Sequence, residues 1–387
     1  MKNLLFIAIF LLFPVEAQRR LAEENGYPVV IVSIVSVPGL GGSQFEAKLT
    51  GKPSVVHYFC LKKTDDFFDL WLNLELLPLY VMDCWADNMR LVYNESTGMT
   101  SNMPGVEIRV PGFGTTENIE WLDKSKASEG RYFTDIVEML VAMGYKRGKN
   151  LLGAPFDWRR APNEMADFYS NLKTLIENTY KYNSNRKIVI ITHSMGSPVM
   201  LYFYNKVVDQ AWKDKFIKSH ISLGGAWGGA MQIVKLLASG YNMDFFRIIL
   251  PPSRLRSMQR SFISSIFLFP NSNLWNETEM IARVDKKNYS LANLKEFFMD
   301  INYLNGWNQY KEVGKMLGNL EAPNIDIHCI YGYNIKTPEI FEWSKDYFPD
   351  YQPMSIYGDG DGTVNRRSLE ACARWINKNS GKNVSNG

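Results

Sequence analysis

Apolar positions along the chain fall into two rhythms. The first is a short, nearly unbroken run of aliphatic and β-branched residues that stops at a glycine or a polar loop, as expected of a strand buried on both faces. It recurs in "YPVVIVSIVSVPGLGGSQ" (Tyr27 to Gln44), "VEIRVPGFG" (Val106 to Gly114), "NLLGAPFDWRRAP" (Asn150 to Pro162) and "KIVIITHSMG" (Lys187 to Gly196). It returns in "KSHISLGGAWGG" (Lys218 to Gly229), "IDIHCIYGYN" (Ile325 to Asn334) and "MSIYGDGDGTV" (Met354 to Val364). The second rhythm spaces apolar residues as one face of a helix does, in "RYFTDIVEMLVAMGY" (Arg131 to Tyr145) and "ADFYSNLKTLIENTYKYN" (Ala166 to Asn183). Strands alternating with helices predict an α/β fold with a parallel, doubly wound sheet.

Two stretches keep neither rhythm. "DFFDLWLNLELLPLYVMDCW" (Asp66 to Trp85) is dense in aromatics and leucines, and it reads equally as a core helix or as a membrane-docking surface. Residues from about Ala230 to Leu320 lack clear strands and read as a cap or lid inserted between late strands of the sheet. The N-terminus reads as a signal peptide over residues 1–17: Lys2, an apolar run from Leu4 to Phe13, then Val15-Glu16-Ala17. That run is too short to span a bilayer. A soluble mature protein on the secretory route is expected, in the lysosome or outside the cell.

Composition changes this picture little. The 387 residues are 46% hydrophobic, enough for one large domain with insertions or for two. A net charge of only +3 carries no nucleic-acid footprint. The four cysteines suit an oxidising compartment and allow three pairings, of which the local one is preferred. Each local bridge closes a loop worth roughly 3–4 kcal/mol in the loop-entropy account. No Cys-x-x-Cys or His-x-x-x-His spacing calls for a metal, and no cofactor is expected. Asn94, Asn276, Asn288 and Asn383 head Asn-x-Ser/Thr sequons and are glycosylation candidates on the surface.

The chemistry centres on Thr192-His193-Ser194-Met195-Gly196. An apolar strand before it and a helix after it give the strand–turn–helix of a nucleophile elbow, normally Gly-x-Ser-x-Gly, with Ser194 at the apex. Pro198 falls in the first helical turn, where its missing N–H costs little. Such a serine needs an acid and a histidine, and "YGDGDGTV" supplies the acid as Asp359 or Asp361. An oxyanion hole needs two backbone N–H groups; Met195 offers one and Leu40, in the "VPGLGG" turn, the other.

"HSMG", "VPGFG", "APFDWRRAP", "QAWKDKFI", "SLGGAWGG", "LASG" and "YGDGDGTVN" together resemble the lecithin–cholesterol acyltransferase family. "EAKL", "VVHYFC", "WLNLELL", "DCWADN" and "RLVYN" extend the likeness through the N-terminal third, and "HSMG", "DWRRAPNE" and "GDGDGTVN" look most like its lysosomal phospholipase A2 branch. The resemblance implies an α/β-hydrolase core over residues 18–387, a membrane-binding subdomain at 57–90 with Trp71 and Leu72 at the lipid contact, and a cap at 230–320. It implies acyl transfer from glycerophospholipids through an acyl-serine on Ser194, with Asp361 orienting the histidine, Leu40 and Met195 at the oxyanion positions, and water or a lipid alcohol as acceptor. The partner surface is a phospholipid membrane or a lipoprotein. It also implies the pairs Cys60–Cys84 and Cys329–Cys372.

The chain departs from the family's pattern in three places. Leu40 stands where the lysosomal branch has an acid, the run into that turn is longer by several residues, and Gly225-Ala226 replaces Ala-Pro. The base is the open question. The four histidines are His57, His193, His220 and His328, and none follows Asp361. The family places its catalytic histidine beyond the last cysteine, and these 387 residues end before it. Three readings stand: a shortened form of an active enzyme, which is preferred; a lipid-binding pseudoenzyme; or service by one of the four histidines.

Overall fold

The structure, a computed structural model, describes residues 32–76, 81–126, 130–242 and 251–387. The expected signal peptide lies outside these residues. At the centre is a six-stranded sheet, every neighbouring pair parallel. Its strands are β1 (Ile34–Val37), β2 (Leu151–Gly153), β3 (Ile188–His193), β4 (Ile217–Leu223), β5 (Ile327–Ile330) and β6 (Val384–Asn386). Their order across the sheet is β6-β5-β4-β3-β1-β2.

The strand runs are continuous because both faces are covered. Val35, Val37, Ile188 and Ile190 share one core with Tyr169, Leu172 and Ile176. Those three lie on one stripe of α2 (Ala166–Tyr182). The alternate residues Ile34, Val189, Ile191, Ile221 and Leu223 pack with Val137 and Leu140 of α1 (Thr134–Ala142) on the other side. The first expectation, a doubly wound parallel sheet, therefore holds, with strand residues alternating between two helical layers.

Several local expectations need correction. "MSIYGDGDGTV" does form a strand, Met354–Gly360, but it pairs antiparallel with Ile335–Trp343 in a separate four-stranded sheet. The stretch 230–320, expected to lack strands, contributes the hairpin Met280–Val284 and Lys287–Ser290 to that same sheet. Its charged, short-period sequence "ARVDKKNY" hides the signal, because one face is open to solvent. Val106–Arg109 joins a three-stranded antiparallel sheet with Phe45–Leu49 and Phe68–Trp71, away from the central one. The stretch from Asp66 to Trp85 is not one helix: it holds strand Phe68–Trp71, a short turn of helix at Leu74–Leu76 and the start of helix Met82–Met89.

Both local disulfides are present, Cys60–Cys84 and Cys329–Cys372. The first ties an exposed loop to helix Met82–Met89; the second ties β5 to the turn at Glu370–Trp375. Asn94, Asn276, Asn288 and Asn383 are all exposed. Among the described residues no helix is long and apolar enough to cross a membrane, and no cluster of side chains is arranged to hold a metal ion.

Candidate active site

Ser194 caps β3 in the left-handed region, at φ +50°, before α3 (Gly196–Tyr202) begins. A non-glycine residue there is strained unless its surroundings hold it. Its N–H donates to the Leu223 carbonyl at 3.0 Å, and its own carbonyl accepts from Ser197 at 3.1 Å and Ala226 at 3.3 Å. The last glycine of the motif is obligatory: a Cβ on Gly196 would sit 2.5 Å from the Pro38 carbonyl oxygen and 2.7 Å from that of Val37. The elbow is thus wedged directly against the end of β1.

Thr192 replaces the first glycine, and the structure accommodates it with polar partners. Its buried hydroxyl hydrogen-bonds Ser197 Oγ at 2.7 Å and His220 Nε2 at 2.7 Å, and Ser197 Oγ pairs with Ser222 Oγ at 2.8 Å. All four residues are buried, so each bond stands in for lost water.

The "VPGLGG" turn faces the elbow. Gly42 N–H donates to the Gly39 carbonyl at 3.0 Å, with Gly41 at φ +74°, a geometry open to glycine. Leu40 occupies the second turn position, and among the described residues neither its N–H nor that of Met195 donates to another group.

The two acids are engaged differently. Asp359 is engaged with Arg366 at 3.0 Å and the Asn334 N–H at 2.6 Å, which hold its carboxyl below the usual range despite some desolvation. Asp361 uses only Oδ1 locally, accepting from Thr363 N–H at 2.9 Å and Val364 N–H at 2.8 Å. Its Oδ2 lies 3.6 Å from where a Cβ on Gly224 would be. Gly224 follows Leu223, the residue that holds Ser194 N–H, so the free oxygen faces the elbow's side of the sheet. Burial pushes this carboxyl up, against the pull of its backbone donors.

The histidines are committed elsewhere. His57 Nε2 lies 2.9 Å from Asp83 on the surface, and His328 Nδ1 lies 2.7 Å from Ser385 Oγ. His220 sits behind the elbow, its pKa lowered to about 3 by burial and by His328. His193 Nδ1 bonds the Tyr132 hydroxyl at 2.6 Å, and burial lowers its pKa to about 4. None hydrogen-bonds Ser194 or Asp361.

The lecithin:cholesterol acyltransferase family model matches residues 67–387. The chain belongs to this family. It is 42% identical over 374 residues to "Lysosomal phospholipase A and acyltransferase" of Rattus norvegicus, covering 96% of this chain and 87% of that one. It is 44% identical to the protein of the same description from Bos taurus, over 88% of this chain and 82% of that one. Against "Phosphatidylcholine-sterol acyltransferase" of Gallus gallus the identity is 41%, over 89% and 82%. With the central parallel sheet and the serine elbow, this family member has the α/β-hydrolase fold.

The apolar surface differs from expectation. Trp71 and Leu72 are half-buried. The Trp71 ring packs on Trp85 and Trp158, and its Nε1–H donates to the Gly41 carbonyl at 2.8 Å. Exposed apolar groups flank Cys60, at Val56, Tyr58, Phe59 and Leu61, with Tyr58 97% exposed, and Leu74 is exposed inside the loop that the Cys60–Cys84 disulfide closes. Two features had no sequence signal: the Thr192–His220 pairing and the reach of Tyr132 into the site. Each joins residues far apart in the chain.

Proposed function

We propose that this family member transfers acyl groups from glycerophospholipids, to water or to a lipid alcohol, through an acyl-serine on Ser194. The observation that carries the reading is Ser194 held at positive φ beside two undonated N–H groups, in a chain more than 40% identical to two acyltransferases. Ser194 Oγ attacks the ester carbonyl, and the Leu40 and Met195 N–H groups receive the oxyanion. The C–O bond to the lysolipid breaks, leaving acyl on Ser194 and a proton on the departing alcohol. Attack by the acceptor hydroxyl reverses these steps and frees the serine. Asp361 is the acid that would orient an imidazole carrying that proton; none of His57, His193, His220 and His328 is hydrogen-bonded to it. The exposed Val56, Tyr58, Phe59 and Leu61 form the lipid contact. The relatives' descriptions and the leader-like N-terminus support the secretory route, ending in the lysosome or outside the cell.

A second reading is a lipid-surface protein without turnover, favoured by the engagement of all four imidazoles away from Ser194. Acyl release from phosphatidylcholine liposomes doped with an anionic lipid, scanned from acid to neutral pH, separates the two. Release that disappears in Ser194→Ala supports the acyl-serine. A folded chain that binds the liposomes and releases nothing supports the second reading.

A further inference from the structure

We propose that Tyr132 is a positioning residue that sets the spacing between the two oxyanion donors. The inference rests on the acyl-serine reading of the site. Tyr132 immediately precedes Phe133 and α1, and its hydroxyl reaches across to two other segments. It accepts the Gly39 N–H at 2.9 Å and meets His193 Nδ1 at 2.6 Å. Gly39 is one residue before Leu40, and His193 is two before Met195. One phenol oxygen therefore joins the two backbone segments whose N–H groups form the oxyanion hole.

The two segments also meet directly, with β1 and β3 paired as far as Val37 and Thr192. A Cβ on Gly39 would lie 2.9 Å from Ser194 Cβ, 3.0 Å from the His193 carbonyl oxygen and 3.3 Å from His193 Nδ1. A Cβ on Gly42 would lie 2.7 Å from Cε1 of the Tyr132 ring. The turn is thus folded tightly around the edge of that ring. Any shift of the ring moves Leu40 N–H relative to Met195 N–H, and oxyanion stabilisation depends on that geometry.

The proton positions follow from the bonds. With the Gly39 N–H donating to it, the phenol oxygen makes both of its bonds when its own proton goes to His193 Nδ1, and this assigns the hydrogen of the neutral imidazole to Nε2. Burial favours this state on both sides: it raises the phenol pKa and lowers that of His193 to about 4. The bridge is therefore neutral from about pH 4 up to the alkaline range in which the phenol ionises. Tyr132 contacts backbone and His193, so its loss affects turnover more than substrate binding.

The test uses the full chain and Tyr132→Phe, which keeps the ring and removes the hydroxyl. Three quantities are measured: the rate at which a fluorophosphonate labels Ser194, kcat and KM for acyl release, and the His193 tautomer by nitrogen-15 correlation spectra. The expected result is Nε2–H in the wild type, loss of that preference in Tyr132→Phe, and labelling and kcat about 10–100-fold slower at unchanged KM. His193→Phe cuts only the far end of the bridge and is expected to slow labelling less, which covers the case of a Tyr132→Phe chain that does not fold. A labelled wild type whose rate and tautomer are unchanged in Tyr132→Phe overturns this inference alone. A folded wild type that is not labelled at Ser194 overturns the acyl-serine reading and this inference with it.

Discussion

Ser194 and Asp361 are held by opposite means. Ser194 is positioned by backbone: sheet bonds to Leu223, a left-handed φ, and Gly39 and Gly196 pressed against neighbouring main chain. Asp361 is positioned by its own carboxylate, which accepts two N–H bonds in a loop at the end of a strand outside the central sheet. The serine turn therefore has little room for an added atom, while Asp361 is set by one side chain that bonds through Oδ1. The difference teaches where each half is fragile: packing disrupts the first, chemistry the second.

The largest expected effect falls on the chemical half. Asp361→Asn keeps the shape and removes the charge, and acyl release is expected to fall by about 10⁴-fold, the cost of such a change in other serine hydrolases. Asp359→Asn, at the acid already engaged by Arg366, is expected to change the rate by less than about threefold. Equal losses in the two variants would erase the distinction between the carboxylates.

Next comes the polar floor of the elbow. His220 is buried and neutral, its pKa lowered from 6.5 to about 3. The unfolded chain binds that proton at higher pH than the folded one, so stability is full above about pH 6.5 and falls as pH drops through the window down to about 3. The loss is of the order of 5 kcal/mol across it. His193, lowered to about 4, adds in the same direction. His220→Gln keeps a hydrogen-bonding group for Thr192 without an ionisable ring, and its denaturation midpoint is expected to depend less on pH. An unchanged pH profile would remove His220 as the cause.

Gly196→Ala probes the packing half. With main-chain oxygens at 2.5 and 2.7 Å from the new methyl, the elbow or β1 has to move, at about 3 kcal/mol. Urea unfolding measures it, and a wild-type midpoint would show that the seam yields. The smallest effect belongs to the surface. Changing Tyr58 and Phe59 together to Ser is expected to weaken liposome binding about tenfold with the melting temperature unchanged, because both side chains are exposed. Trp71→Ser is expected to lower the melting temperature as well, since its ring is packed and tied to Gly41.

By itself, the sequence determined what contiguous residues can encode. The aliphatic runs specified strands, most of them buried on both faces of the central sheet, the spacing in α1 and α2 specified their inward stripes, and strand, serine turn and helix together specified the elbow. Tertiary structure decided which polar groups meet. Asp359 is engaged by Arg366 and Asn334, while Asp361 bonds only its own loop. Thr192 fits the elbow because His220, from the next strand, meets its hydroxyl. Trp71 turned inward, leaving Tyr58 and Phe59 outside. Tyr132 reached Gly39 and His193, 93 and 61 residues away in the chain. Periodicity is a local property and survives in the sequence, whereas a hydrogen bond between distant segments exists only after the chain has brought them within about 3 Å of each other.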